Sequence, residues 1–290
     1  MSAELSTTSS YSCTNLDFQT VIDKHKQILH NFNIKIESKQ EKLPSLYWIP
    51  KLHKTPYKSR FIANASSSTT THISKLLTSC LTAVRNHVVK YCEKVYENSG
   101  INIFWSIKNS TEVLDKFSTL NFHCSAVNTY DFSTLYTSLP HDLIKTKLIA
   151  LIEKTFAREQ RLYIACHDSN AFFTNTFLEK FTMWTCTDVC EALCFLLDNI
   201  YIKCGDTLFR QVIGIPMGTN CAPLIADLFL YCFERDFMLT LSPSNQSHII
   251  EAFNLTSRYL DDILTIDNPF FPQMIHLIYP PELTLNKANN

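Results

Sequence analysis

SRYLDDILTID, residues 257–267, sets Asp261 and Asp262 side by side inside an otherwise apolar run. Tyr259, Leu260, Ile263, Leu264 and Ile266 surround them, a β-forming neighbourhood. Adjacent carboxylates repel, and burying either is costly without a compensating positive charge. Taken alone, the pair reads as the tip of a short hairpin turning at the two aspartates. A third carboxylate stands in a similarly odd place. In HCSAVNTYDFSTLYTSLP (123–140), Asp131 ends an apolar strand and precedes Phe132. Alone, Asp131 reads as a helix cap. If the two strands are neighbours, Asp131 and Asp261 converge, and a pair of Mg²⁺ ions supplies the missing charge. Hard cations take carboxylate oxygens, and two of them about 3.5–4 Å apart drive in-line displacement at phosphorus.

Working outward, GIPMGTNCAP (214–223) holds two of the four glycines in the chain, Gly214 and Gly218. In so glycine-poor a sequence, that clustering marks a sharp turn or a close approach of backbone to another surface. No GKS or GKT follows, so the loop is not a phosphate-binding P-loop, and it lacks the GxGxxG pattern. An apolar helix begins after it at Pro223. A plain strand-to-helix turn explains the glycines equally well.

Upstream, LPSLYWIPKLHKTPYKSRFIANAS (43–66) reads as a hairpin of SLYWI and RFIAN, with KTPYK as its turn. Residues 15–42 read as a polar helix, and 2–12 as a loose polar segment. Helical periodicity follows over 71–95, after Pro140, and through Val189–Ile200. YIKCGDTLFRQVIGIP (201–216) reads as another hairpin, turning at Cys204-Gly205-Asp206. Helices alternating with paired strands predict an α+β sheet covered on one face.

The formal net charge is −1, yet no aspartate or glutamate occurs between Leu43 and Cys92, where seven of the 26 basic residues lie. That segment is a solvated face or a surface turned toward phosphates. Hydrophobic residues make up 46% of the chain, enough for a substantial core, and no run is long enough for a membrane span. The 11 cysteines form no CxxC pair. Together with the lack of a signal-peptide pattern at the start, this predicts an intracellular protein with unpaired thiols. Cys186, Cys190 and Cys194 recur on one helix face, as core-filling thiols rather than metal ligands.

YDFSTLYTSLP (130–140), GIPMGTNCAPLIADLFL (214–230) and RYLDDIL (258–264), in that order, resemble motifs A, B and C of a reverse transcriptase palm. IPKLHKTP (49–56) and SRFI (59–62) resemble the finger motifs of the Penelope-like retroelement branch, as does Met217-Gly218 in place of the commoner Gln-Gly. The resemblance spans about 43–290 in several blocks. It implies a right-hand fingers and palm architecture, an antiparallel palm sheet backed by helices, and no thumb. The implied domains are an N-terminal extension (1–42), a fingers-like segment (43–120) and an incomplete palm (121–290) with a finger insertion at about 141–210.

Residue by residue, the resemblance makes Asp131, Asp261 and Asp262 the catalytic carboxylates. They and the Phe132 carbonyl would hold two Mg²⁺ or Mn²⁺ ions. Lys51 and Arg60 would grip the nucleotide triphosphate. Tyr136 would exclude a ribose 2′-hydroxyl, and Met217 and Gly218 would meet the nascent base pair. Lys54, Lys58, Gly214 and Tyr259 would contact nucleic acid. The implied partners are an RNA template, a DNA primer and deoxynucleoside triphosphates, and the implied chemistry is nucleotidyl transfer to a primer 3′-hydroxyl. The sequence stops near the next palm motif, and the reading is of a truncated copy. Two alternatives stand beside it: a non-catalytic nucleic-acid-binding remnant, and a different two-metal phosphotransferase such as a nuclease.

Overall fold

The computed structural model of the chain describes residues 9–52, 58–119, 124–167 and 170–288. In chain order the elements are β1 (Tyr11–Thr14), α1 (Phe18–Asn31), β2 (Ser45–Lys51), β3 (Lys58–Asn64), α2 (Thr71–Ser99), α3 (Thr111–Thr119), β4 (Val127–Ser133) and α4 (Leu135–Ser138). There follow α5 (His141–Glu159), β5 (Tyr163–His167), β6 (Asn170–Thr174), β7 (Thr182–Trp184), α6 (Cys186–Asp198), β8 (Tyr201–Cys204) and β9 (Thr207–Gln211). The last are α7 (Ala222–Thr240), α8 (Pro243–Asn254), β10 (Ser257–Tyr259), β11 (Asp262–Ile266), α9 (Phe271–Ile278) and β12 (Thr284–Lys287). Among the described residues, no helix is long and apolar enough to cross a membrane.

The chain divides into two compact units, Met1–Val84 with Tyr136–Ile225, and Arg85–Leu135 with Ala226–Asn290. The first contains a sheet ordered β1-β9-β8-β2-β3 and a smaller sheet ordered β6-β5-β7. The second contains a sheet ordered β10-β11-β4-β12. Separate sheets replace the single covered sheet expected from the alternation of helices and strands.

Local chemistry sets several boundaries. Asp17 caps α1, its carboxylate accepting the backbone N–H groups of Gln19 (2.9 Å) and Thr20 (3.3 Å). α1 then ends at Asn31, short of the helix expected to reach residue 42, and Asn33 takes a left-handed φ of 56°. Thr185 and Asp188 form a reciprocal capping box at the start of α6. The segment expected to be loose is in part a strand: β1 pairs antiparallel with β9, Tyr11 opposite Gln211. In the β2–β3 hairpin, Ile49 lies opposite Arg60 and Lys51 opposite Lys58. The KTPYK turn expected there falls mostly outside the described residues. The 201–216 hairpin turns at Gly205-Asp206, with Cys204 paired to Thr207. Cys186, Cys190 and Cys194 share one side of α6 but are only partly buried, so they rim the core rather than fill it.

In the second unit, β4 buries Tyr130 and Phe132 and exposes Asp131 between them, the period-2 signature of a strand with one covered face. Tyr130 meets Phe271 at 4.8 Å between ring centroids, and Phe132 meets Tyr279 at 4.9 Å. Trp105 stacks on Phe253 at 5.8 Å behind them. These rings form the core that supports the β10-β11-β4-β12 sheet.

Candidate active site

β10 and β11 form a tight hairpin in which Tyr259 pairs with Asp262. The turn is therefore Leu260-Asp261, one residue earlier than the Asp261-Asp262 turn expected from the sequence. Leu260 takes a φ of 53°, a left-handed conformation that a bulky side chain adopts only under constraint. Asp262 becomes the first residue of β11.

β11 runs antiparallel to β4, with Asp262 directly opposite Asp131 and Ile263 opposite Tyr130. Residues paired this way point to the same face of a sheet, with Cα atoms about 4.5–5.5 Å apart. The Asp261 carbonyl accepts the Phe132 N–H at 3.1 Å, tying the turn to the same strand. On its other edge β4 pairs with β12, which sets Asn286 opposite Asp131, while the Asn286 amide donates to the Ser133 hydroxyl. Three carboxylates thus gather at one end of the sheet. Among the described residues, no lysine, arginine or histidine forms an ion pair with any of them. Partial burial, and then the charges of Asp261 and Asp131, push the Asp262 carboxyl above its ordinary value.

A second group of charges, which sequence reasoning missed, lies beneath this hairpin. The Arg258 side chain is fully buried. Its Nε donates to Glu234 Oε1 at 2.5 Å, and its Nη1 to Asp227 Oδ1 at 2.9 Å. Nη1 also donates to the Leu260 carbonyl at 3.2 Å, and Nη2 to the Asp227 carbonyl at 3.0 Å. Arg85 completes the cluster, with Nε on Asp227 Oδ2 at 2.9 Å, and the Tyr279 hydroxyl donates to Glu234 at 2.8 Å. Burial by itself would raise the Asp227 carboxyl; the guanidinium of Arg258, a hydrogen bond from Ser106 and then Arg85 hold it below the usual range. Arg258 therefore braces the strained Leu260 turn against α7. Arg85, counted within the basic segment, belongs to this buried cluster rather than to a phosphate-facing surface. The available sequence signal was Asp227 and Glu234, two acids seven residues apart in an apolar helix. Nothing local named their partner.

In the first unit, the glycine loop packs on β3. The Ala63 N–H donates to the Met217 carbonyl at 2.8 Å. Gly218 has a φ of 113°, and a β-carbon there would lie 2.1 Å from the Ala63 carbonyl oxygen. Gly214 approaches equally closely, its missing β-carbon 2.3 Å from the Tyr136 carbonyl oxygen. The glycine clustering thus marks close backbone contact. Met217 is half-buried and Arg60 is exposed at its place on β3. Tyr136 sits half-buried in α4, its carbonyl accepting the Ile215 N–H at 2.7 Å. Tyr259 is 47% exposed beside the aspartate turn. Lys54 lies outside the described residues. The second unit thus gathers Asp131, Phe132, Tyr259, Asp261 and Asp262, and the first gathers Arg60, Tyr136, Gly214, Met217 and Gly218.

The oxygen donors of these carboxylates are of the type that a hard divalent cation takes. They do not close a cage by themselves: among the described residues, no group of three or more histidine, cysteine, aspartate or glutamate side chains is arranged to hold a metal ion. An open arrangement of this kind leaves room for oxygens from water and substrate.

Neither a protein-family model nor a curated protein matches the sequence. Solved structures do match the fold. Telomerase from Candida albicans, in complex with a TWJ fragment of telomeric RNA, superposes with a TM-score of 0.54 at 15% identity, over 91% of this chain and 47% of that one. The fold is similar to that of telomerase structures. Apo telomerase from Candida tropicalis gives a TM-score of 0.54 at 13% identity, over 97% of this chain and 51% of its own. The same telomerase in complex with a TWJ fragment of telomeric RNA gives 0.53 at 13% identity, over 91% and 44%. The chain spans about half the length of the solved structures it matches.

Proposed function

We propose that this chain is an RNA-directed DNA polymerase domain of a Penelope-like retroelement, adding deoxynucleotides to a DNA primer on an RNA template. One observation carries the reading: Asp131 and Asp262 face each other on adjoining strands, with Asp261 at the turn between β10 and β11. In this reading the β10-β11-β4-β12 sheet is the palm and the β2–β3 hairpin belongs to the fingers.

Asp131, Asp261 and Asp262, with the Phe132 carbonyl, are the groups that would hold Mg²⁺ or Mn²⁺. Such ions, when bound, activate a hydroxyl nucleophile and stabilise charge on a phosphoryl group. The open carboxylate arrangement suits Mg²⁺, which is usually held by one or two carboxylates together with substrate phosphates. Lys51 and Arg60 are assigned to the triphosphate, whose leaving charge a fixed cation stabilises. Tyr136 is assigned to excluding a 2′-hydroxyl, and Met217 and Gly218 to the nascent base pair. Lys54, Lys58, Gly214 and Tyr259 are assigned to nucleic-acid contact.

The test is primer extension on an RNA template with Mg²⁺ or Mn²⁺. The wild-type chain should extend the primer, and Asp261→Ala should abolish extension while the protein stays folded, melting no lower than wild type. Equal signals from the two proteins would end the polymerase reading. Metal-dependent cleavage of nucleic acid without added nucleotides would replace it with a nuclease.

A further inference from the structure

Two thiols meet inside the first unit. On α2, Ile73, Leu77, Cys80 and Val84 step by four, three and four residues and are all fully buried, so Cys80 belongs to the apolar stripe by which that helix packs. On β5, the central strand of the β6-β5-β7 sheet, Cys166 is buried, paired with Ala171 on one side and Thr182 on the other. The two Sγ atoms lie 3.4 Å apart although 86 residues separate them along the chain.

Other thiols are placed differently. Cys221 Sγ accepts the Ser74 hydroxyl at 3.6 Å, and Cys92 Sγ lies 3.3 Å from the Tyr231 hydroxyl. Cys186 and Cys190 share a hydrogen bond within one turn of α6. A thiol that only fills a core needs no sulfur partner. Cys80 and Cys166 touch across two elements, and a bond between them asks for an approach of little more than an ångström. Their acidities also diverge. The hydrogen bond from Cys80 holds the Cys166 thiol below its ordinary value against the effect of burial, while burial pushes Cys80 well above its own. Cys166 is therefore the first of the two to become a thiolate, the reactive form.

We propose that Cys80 and Cys166 are a reversible oxidation site, closing to a disulfide that ties α2 to the β6-β5-β7 sheet when the protein meets a peroxide. In the first step the Cys166 thiolate attacks one peroxide oxygen. The O–O bond breaks, the other oxygen leaves as hydroxide and takes up the proton shed by Cys166, and Cys166 becomes a sulfenic acid. In the second step the Cys80 sulfur attacks the Cys166 sulfur. The S–O bond breaks, and the hydroxide leaves with the Cys80 proton as a second water. The two thiols lose two electrons, and one hydrogen peroxide is reduced to two waters. Hydrogen peroxide is scarcely larger than water and reaches buried thiols through the local openings of a native structure. The inference goes beyond the polymerase reading and rests on the first unit alone.

The test is titration of the full chain with hydrogen peroxide, then alkylation of the remaining thiols in denaturant and peptide mapping without reductant. In the wild type, a linked pair of peptides carrying Cys80 and Cys166 should be the first disulfide within a chain, lighter by two hydrogens and lost on adding dithiothreitol. Cys80→Ala and Cys166→Ala should each abolish that link. The oxidised wild type should melt at least about 4 °C higher than the reduced protein, because closing so long a loop restricts the unfolded chain, and neither variant should show the gain. The wild-type map needs no substitution and decides the matter where a variant does not fold. A first disulfide between any other two cysteines of one chain, sulfinic acid on Cys166 with no link to Cys80, or a link that leaves the melting temperature unchanged would each overturn the proposal.

Discussion

Asp262 lies opposite Asp131 across the β11–β4 ladder, a register that aligns two like charges where sheets gain from opposite ones. Because the Asp262 carboxyl is raised above its ordinary value, folding disfavours its charged form. The destabilisation is present above the unfolded-state pKa and fades as pH falls and the group protonates in both states. Asp262→Asn should therefore melt higher than wild type near pH 7 in EDTA, and the two should converge below about pH 4. Added Mg²⁺ or Mn²⁺ should raise the melting temperature of the wild type more than that of the variant. A variant no more stable than wild type at any pH would remove the repulsion from the account.

Arg258 should be among the residues least tolerant of change. Arg258→Met leaves Glu234 and Asp227 buried with one compensating charge fewer, a loss of about 3–5 kcal/mol by the usual cost of breaking a buried pair. Arg258→Lys keeps the charge but cannot reach Glu234, Asp227 and the Leu260 carbonyl together, so it should recover only part of the stability. Urea denaturation of the three proteins decides this. Wild-type stability in Arg258→Met would mean that the cluster does not hold the hairpin.

Two glycines separate close packing from backbone strain. At Gly205 (φ 62°) a β-carbon would meet nothing within 4 Å, so Gly205→Ala costs only the left-handed penalty of about 1–2 kcal/mol. Gly218→Ala carries a comparable strain and also drives a methyl into the Ala63 carbonyl. It should be the more damaging of the two by thermal melting, and an equal loss would show that β3 yields freely.

His25 gives the first unit an acid sensitivity of its own. Its Nδ1 lies 2.8 Å from the Thr69 hydroxyl, while the buried Nε2 has no hydrogen-bond partner among the described residues. Burial, and secondarily the charge of Lys24, lower its pKa from 6.5 to about 4. A lowered histidine pKa means that the stability is present above 6.5 and is lost as pH falls through the window from 6.5 to about 4, by about 3 kcal/mol at most. His25→Phe should flatten the stability–pH profile across that window. A profile unchanged by the substitution would assign the acid loss to other groups.

Much of this was readable from short-range pattern. The alternation in NTYDFS marks β4 with its acid on the open face, and the scarcity of glycine identifies Gly214 and Gly218 as points of close approach. Strand and helix periods, turn residues and caps act over a few positions, so they are written locally. Register and charge compensation are not. That Asp262 rather than Asp261 stands opposite Asp131 depends on where the two-residue turn falls, and Arg258 holds the Leu260 carbonyl within that turn. The charged partners of Arg258, Asp227 and Glu234, come from α7, and β1 finds its place on the edge of β9. Electrostatic energy depends on distance through space, and a ladder needs a partner strand of any sequence separation. The residue types in a candidate metal-binding end are therefore legible in the chain, while their pairing belongs to the tertiary structure.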